Sequence, residues 1–445
     1  MVLPLSSMSN SIKVFGENVT IEPLTIFQRT AIAKKSEEDI TELLQFELSP
    51  FPLSIFNEGG MRKTQKSSLY SAFPHDDQTN HKVTQSINVV DGGFLLHRVK
   101  WNLGTKISTI CDQYISFVQK HYGHNCTVVF DGYSDANSTK RAEQKRRGLT
   151  KTSVDILFNE TTNITVHQEH FLSNEKNKVR LIEMLKGKMN SMGIETVQAE
   201  GDAGCNIVRC GLSKAALHPT VTIVGEDVDL IVLLIALAPP EKNIFFLKPG
   251  RGKVESKLYS TSKLQQLDFA KSILLLHSFS GCDTTSAIYS KSKASMVKLF
   301  SKMPTQMKII SDIFTNPSAT PDIISEAGQK MFLEIYQAAP NEKDLNKLRY
   351  KAFLKCSTKP KLDLASLPPT RGAAEQHSFR VYLQVGSISL YIFLINYFKY
   401  SWVFINLLIF EYEYVILMSK RPEHIKKTGG RLVLIVLTMS KGVKI

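Results

Sequence analysis

The six cysteines (Cys111, Cys126, Cys205, Cys210, Cys282 and Cys356) form no CxxC pair. That spacing excludes a zinc ribbon and a dense disulfide framework, and it fits a reducing compartment. There is no HExxH. "VHQEH" at residues 166–170 lacks that spacing, lies in a polar stretch and reads as surface. There is no Walker spacing either: "KPGRGK" at residues 248–253 has two glycines and reads as a basic loop. Cys282 abuts Asp283 with no histidine at a recognisable spacing, so no thiol nucleophile is expected. The start "MVLPLSSMSNSIKVFG" lacks a basic n-region and a long apolar h-region, so no secretory signal is expected. The N-x-S/T triplets at Asn137 and Asn163 are then read as chance.

What is present is a chain of 445 residues, 43% hydrophobic and 22% charged, long enough for two or three domains with a sizeable core. Lys and Arg total 55 against 41 Asp and Glu, a net charge of +14. That balance favours polyanionic partners, nucleic acid or anionic lipid. The basic residues cluster in "KRAEQKRR" (140–147) and "KSKASMVKLFSK" (291–302). Such runs are more often a solvated face than a binding site, unless an active centre lies beside them.

Residues 1–83 read as an extension with a short helix near Ser36 and a linker, "PHDDQTNHK". Beyond it, "QSINVVDGG", "CTVVFDGYS", "GIETVQAEGD" and "TVTIVGEDVD" are strand-length, rich in Val, Ile or Thr, and end in acid. Stretches with apolar residues at helical spacing lie between them, and "NIFFLKP" adds a further candidate strand. Strands alternating with helices predict an α/β fold with a parallel sheet covered on both faces. Three helical stretches follow and predict an α-rich C-terminal extension over residues 306–384. From 385 to 445 the composition shifts to Ile, Phe, Tyr and Asn, with a bilayer-length run at 386–410. That tail reads as a gene-model artefact or a membrane segment, with a buried helix as third reading.

The acids at the strand ends carry the functional argument. In an open parallel sheet, ligands bind at the carboxyl ends of the strands. Asp91, Asp131, Glu200 with Asp202, and Asp227 with Asp229 all fall there. Each has a plain reading alone. Asp227 can cap the helix "VDLIVLLIAL", with Asp229 in its first turn, and Asp91 and Asp131 precede glycines and can initiate turns. Together, six carboxylates at one edge repel unless something positive lies among them. Hard divalent cations are the natural counter-charge. Two such ions can activate water and stabilise the leaving oxygen in phosphodiester cleavage.

These segments resemble the flap endonuclease and XPG-type branch of the PIN-like nuclease superfamily, over roughly residues 84–305. "INVVDGGFLLHR" resembles the family's first strand, with Asp91. "VVFDGY" resembles its second, with Asp131. "AEGDAGCNIV" resembles its E-x-E-A-x-C helix start, carrying Glu200 and, with Asp for Glu, Asp202. "GEDVDLIVL" resembles its E-D-x-D motif, with Asp227 and Asp229 as ligands and Glu226 not one. "FSGCDTTSA" resembles its G-x-D segment, with Asp283. A group of invertebrate proteins, some associated with mobile elements, is similar in the leader "FELSPFPLSIF" and the signature "SGCDTTSA".

The resemblance implies a PIN-like nuclease holding two Mg²⁺ or Mn²⁺ ions on those seven acids. The implied partner is nucleic acid, DNA rather than RNA, and the implied location is intracellular and nuclear. It implies phosphate contacts from the basic run after Asp131 (Lys140, Arg141, Lys145, Arg146, Arg147) and from Lys291 and Lys293. Where the family's duplex-gripping turn has Gly-x-Gly, this chain has Tyr289-Ser290-Lys291-Ser292-Lys293. Serine is not expected to take up a positive φ cheaply there. The roughly 80 preceding residues imply that one end of the site is built differently. Asp202, one methylene shorter than Glu, implies a moved oxygen or an interposed water. Two alternatives stand beside the nuclease: the same fold with a degenerate site that only binds nucleic acid, and a membrane-anchored protein using residues 386–410.

Overall fold

The computed structural model describes residues 11–14, 17–20, 42, 44–75, 86–132, 154–199, 203–357 and 363–397, with side chains from 42 to 388. The helix expected near Ser36, the basic run at 140–147, Glu200, Asp202 and the tail after 397 lie outside the described residues. The chain divides into two compact units, Ser67–Ile273 and Met1–Lys66 with Leu274–Ile445.

The first unit is α/β. All four acid-ended runs form strands: β1 (Ile87–Asp91), β2 (Thr127–Phe130), β3 (Glu195–Gln198) and β4 (Thr220–Val224). "NIFFLKP" forms β5 (Asn243–Lys248), and an unforeseen β6 (Lys257–Ser260) pairs antiparallel with it. The order is β6-β5-β4-β1-β2-β3, and every pairing except β5–β6 is parallel. Every residue of β2 is buried, as are the last four of β4. That is why these strands read as continuous apolar runs: helices cover both faces.

The helices of this unit are α1 (Gly92–Arg98), α2 (Ile107–Tyr122), α3 (Gln168–Ser173), α4 (Glu175–Ser191), α5 (Ala203–Leu217) and α6 (Val228–Leu237). In α2 the buried residues Ile107, Ile110, Cys111, Tyr114, Ile115, Val118 and Tyr122 recur at three- and four-residue spacing, and they join one core with Leu181, Ile182 and Leu185 of α4. In α6 seven of the ten residues, Val228 and Leu230 to Ile235, are buried, so it shows little amphipathic pattern.

The second unit is mainly helical, with short antiparallel strand pairs at Ser11–Val14 with Glu17–Thr20 and Phe56–Asn57 with Gly60–Met61; its helices are α7 (Ile273–Phe279), α8 (Lys293–Lys302), α9 (Pro304–Thr315), α10 (Pro321–Ile335), α11 (Leu345–Ser357) and α12 (Arg371–Tyr397). Pro304 and Pro321 open their helices, where a missing N–H costs nothing. The leader packs here. Leu44 shares a core cluster with Phe353 and Leu367. Glu47 accepts from the Thr370 backbone N (3.1 Å) and Oγ1 (2.9 Å), and pairs with Arg349 at 3.3 Å. The helix α12 passes through Val385, where the composition changes, without a break. Among the described residues no helix is long and apolar enough to cross a membrane.

Candidate active site

The chain runs β1, β2, β3 to one side of the sheet, then returns to place β4 on the other side of β1. This reversal is a topological switch point, and the crevice beyond the strands' carboxyl ends there is where open α/β sheets bind ligands. β1 ends in Asp91. β4 is followed by Gly225, Glu226 and Asp227.

Each of three acids caps a helix. Asp91 Oδ1 accepts from the backbone N of Gly93 (2.8 Å) and Phe94 (3.2 Å) at the start of α1. Asp131 Oδ1 accepts from Ala203 N (3.1 Å) at the start of α5. Asp227 Oδ1 accepts from Asp229 N (3.0 Å) at the start of α6. The capping expected of Asp227 therefore holds, while Asp91 and Asp131, expected to initiate turns, also bond helix starts, Asp131 that of a helix 72 residues away.

Capping uses one oxygen and leaves the other to converge. A Cβ at Gly93 would lie 3.1 Å from Asp91 Oδ1 and 3.5 Å from Asp131 Oδ2. A Cβ at Gly225 would lie 3.6 Å from Asp91 Oδ2 and 2.7 Å from Leu230 Cδ1. Glycine at both positions keeps the space around Asp91 open. Burial raises the Asp91 pKa from 3.8 to about 7, against the lowering effect of the Phe94 and Gly93 hydrogen bonds; the Asp131 and Asp227 charges push it further up. The carboxylates that follow β2 and β4 thus lie close enough to oppose the ionisation of Asp91.

Tyr70, from the segment before the sheet, completes this edge. Its ring stacks on Phe246 (6.3 Å between centroids) and lies 5.8 Å from Tyr259. Its hydroxyl donates to the Glu226 carbonyl (3.2 Å). Burial, then Asp227, Tyr259, Asp229 and Glu226, push its pKa up, so the phenol keeps its proton and acts as donor. Lys248 Nζ sits 4.2 Å from the centre of the same ring. Sequence reasoning missed Tyr70: an isolated aromatic in a leader gives no local signal, and only the fold brings it to the E-D-x-D turn. Glu226 and Asp227 are exposed, and Asp229 is half-buried.

Glu200 and Asp202 lie outside the described residues, but their neighbours frame Asp131. Ala199 N donates to Phe130 O (2.9 Å) on one side, and Ala203 N reaches Asp131 on the other. Asp283 belongs to the second unit. Its Oδ2 is 2.9 Å from Lys66 Nζ, and Lys63 Nζ donates to its carbonyl (3.5 Å). The "SGCDTTSA" turn is held by Thr285, whose Oγ1 donates to Ser278 O (2.6 Å) and accepts from Cys282 N (3.1 Å).

Of the basic candidates, Lys140, Arg141, Lys145, Arg146 and Arg147 lie outside the described residues. Lys291 Nζ sits 4.8 Å from the Tyr336 ring centre. Lys293 needs correction. It is fully buried, and its Nζ donates to His277 O (3.1 Å) and Ser280 Oγ (2.9 Å). That ammonium ties the start of α8 to the end of α7 and does not face solvent. The turn before α8 is a second correction: Ser290 takes up φ +56° without glycine, and Ser292 caps α8 through Ser295 N (3.2 Å).

The donor set at the sheet edge is all carboxylate oxygen, the type hard divalent cations prefer. It fits such an ion in donor chemistry and charge. Among the described residues, no group of three or more His, Cys, Asp or Glu stands close enough to hold one as placed.

No family model and no curated protein matches the chain. Among solved structures it is similar to the catalytic core of Rad2 in complex with DNA substrate, at 14% identity, over 71% of this chain and 93% of that one, with a TM-score of 0.35. It is also similar to T5 5′-exonuclease with bound zinc, at 12% identity over 75% and 98%, TM-score 0.39. A third is the bacteriophage T5 flap endonuclease in a pseudo-enzyme–product complex with DNA and metal ions, at 13% identity over 75% and 98%, TM-score 0.35.

Proposed function

We propose that the chain is a divalent-metal-dependent nuclease that hydrolyses phosphodiester bonds in structured or single-stranded nucleic acid. The observation that carries this reading is the placement of Asp91, Asp131 and Asp227 at the switch point, where burial first, and the Asp131 and Asp227 charges after it, raise Asp91 to about 7. Carboxylates left so close without counter-charge are costly, and a bound cation removes the cost. Asp91, Asp131, Asp227 and Asp229, with Glu200 and Asp202 from the adjoining segment, would hold Mg²⁺ or Mn²⁺. When bound, two such ions supply an activated water and charge stabilisation at the leaving oxygen.

The chain's own residues do the rest. The capping bonds fix one oxygen of Asp91 and of Asp131 and so orient the second. Tyr70 steadies the turn that carries Asp227 through the Glu226 carbonyl. The net charge of +14 favours a polyanionic substrate, and the family resemblance, not the charge, favours DNA before RNA.

A second reading, a binding module with no turnover, is favoured by the Lys66–Asp283 ion pair, which already supplies Asp283 with a cation. The two separate on one experiment: incubation of flap, nicked and single-stranded DNA and RNA with Mg²⁺ or Mn²⁺, against an EDTA control. The nuclease reading expects metal-dependent cleavage that EDTA abolishes. Salt-sensitive binding without cleavage under every metal condition would replace it with the second reading.

A further inference from the structure

We infer that the hairpin loop joining β5 to β6, residues 249–256 with the flanking lysines, is a phosphate-binding element. It would grip the backbone of the nucleic-acid strand lying across the acidic edge, with Arg251 and Lys253 as its outward contacts. The inference deepens the nuclease reading and rests on it.

Position comes first. β4 and β5 are parallel, with Val224 opposite Leu247. Lys248 therefore continues opposite Gly225, and the loop leaves the sheet at the edge where the E-D-x-D turn leaves it. Gly225 N donates to Leu247 O (3.1 Å), which locks the two exits together. Tyr70 bridges them a second time, with its hydroxyl on the Glu226 carbonyl and Lys248 over its ring.

The loop is also built. Gly250 N donates to Ser256 Oγ (2.9 Å), the Arg98 guanidinium donates to Gly250 O, and Val254 N donates to Arg251 O (3.1 Å) across an Arg251–Val254 bridge. Gly252 at φ +60° makes the turn. Arg251 and Lys253 are exposed on this framework, with Glu255 the loop's one acid.

Charge is the third observation. Lys248 and Lys257 are direct cross-strand partners, so two ammonium-bearing side chains leave the same face at the loop's base. Like charges placed directly opposite are destabilising. An anion bound between them and the tip would reverse that cost. Phosphates repeat along a nucleic-acid strand, so one backbone can meet the acidic edge and the basic loop together. Sequence reasoning set this segment aside because it lacks Walker spacing; its meaning comes from the strand that precedes it.

The test uses the full chain and the double variant R251Q/K253Q. Binding of a labelled flap duplex is followed by fluorescence anisotropy across a salt series in Ca²⁺, while Mn²⁺ binding is read by electron paramagnetic resonance. Losing two phosphate contacts should lower the slope of log K against log[salt] by about 2 and weaken binding roughly tenfold or more near physiological salt. Mn²⁺ binding should not change, and R251K/K253R should restore the wild-type slope. If the glutamine variant keeps the wild-type slope and affinity while the wild type cleaves, the loop inference falls and the nuclease reading stands. If the wild type neither binds nor cleaves, the nuclease reading falls and takes this with it. Loss of binding to phosphatidylserine vesicles with nucleic-acid binding intact would also overturn it, assigning the loop to a membrane surface.

Discussion

Asp91 does two things that pull in opposite directions. Its Oδ1 caps α1, which favours the carboxylate, while burial and the neighbouring Asp131 and Asp227 favour the acid and prevail. In the metal-free chain the folded state therefore keeps a proton on Asp91 up to about pH 7, whereas the unfolded state releases it near 3.8. Folding binds that proton between the two values, so this residue's contribution to stability falls as pH rises from about 4 to 7 and stays low above, by about 1.4 kcal/mol per pH unit within the window. Asp91→Asn keeps a capping oxygen and removes the charge. Without metal it should unfold several degrees above the wild type at pH 8, at about 2–4 °C per kcal/mol, with most of the gap closed by pH 4.5. Scanning calorimetry in EDTA at both pH values checks this, and equal melting at pH 8 would contradict it. Tyr70 makes a separate prediction. Tyr70→Phe keeps the ring stacking and loses only the bond to the Glu226 carbonyl, worth about 1 kcal/mol. Mn²⁺ affinity, measured by titration, should drop roughly three- to tenfold, with a melting shift of a few degrees at most.

At the scale of elements, largely buried apolar runs ending in acid made β1, β2 and β4 readable, while β3, the edge strand ETVQ with no buried residue, was readable only from its β-branched residues. A run with both faces covered must be apolar throughout, and it stops where the carboxyl edge begins. β6 was not readable: "KLYS" is short, opens with lysine and follows an exposed polar loop. Tyr70, Lys248 and the Asp131–Ala203 bond were illegible for one reason: each contact joins residues far apart in sequence. Lys293 misled in another way. It shares a helical stripe with Met296 and Phe300, both buried, so its spacing marked it as interior although its charge suggested surface. The second unit holds a further buried titratable group. His377 of α12 lies against Phe279 and Phe332, 3.2 Å from the Phe279 carbonyl, and burial lowers its pKa from 6.5 to about 3. The unfolded chain takes up this proton first as pH falls below 6.5. Stability from this site is therefore full above 6.5 and is lost toward pH 3, by about 1.4 kcal/mol per pH unit. Denaturant unfolding between pH 6.5 and 5 should show that loss in the wild type and a flatter profile in His377→Gln. Parallel profiles would place the acid sensitivity elsewhere.

The molecule as a whole divides its roles between two compact units. The α/β unit carries Asp91, Asp131, Asp227, Asp229 and the basic loop. The helical unit carries Asp283 with its Lys66 partner, and takes up the leader through Leu44, Glu47 and their contacts on α11 and the segment before α12. The "FELSPFPLSIF" leader thus has a structural explanation: Glu47 ties Thr370 to a nearly buried Arg349. Removing the carboxylate by Glu47→Ala would leave that guanidinium uncompensated, a change that costs about 3–5 kcal/mol when a buried pair is broken. A fall in the denaturant midpoint of the helical unit would record it. The central claim is that carboxylates meeting at the sheet's switch point form a metal-dependent phosphodiesterase site. Its most direct measurement is single-turnover cleavage of a labelled flap substrate across an Mg²⁺ titration, wild type against Asp227→Asn with Asp229→Asn. The account predicts cleavage by the wild type that rises with Mg²⁺ and a loss of at least about a hundredfold in the double variant, with substrate binding in Ca²⁺ retained. Cleavage by the double variant at the wild-type rate would contradict it.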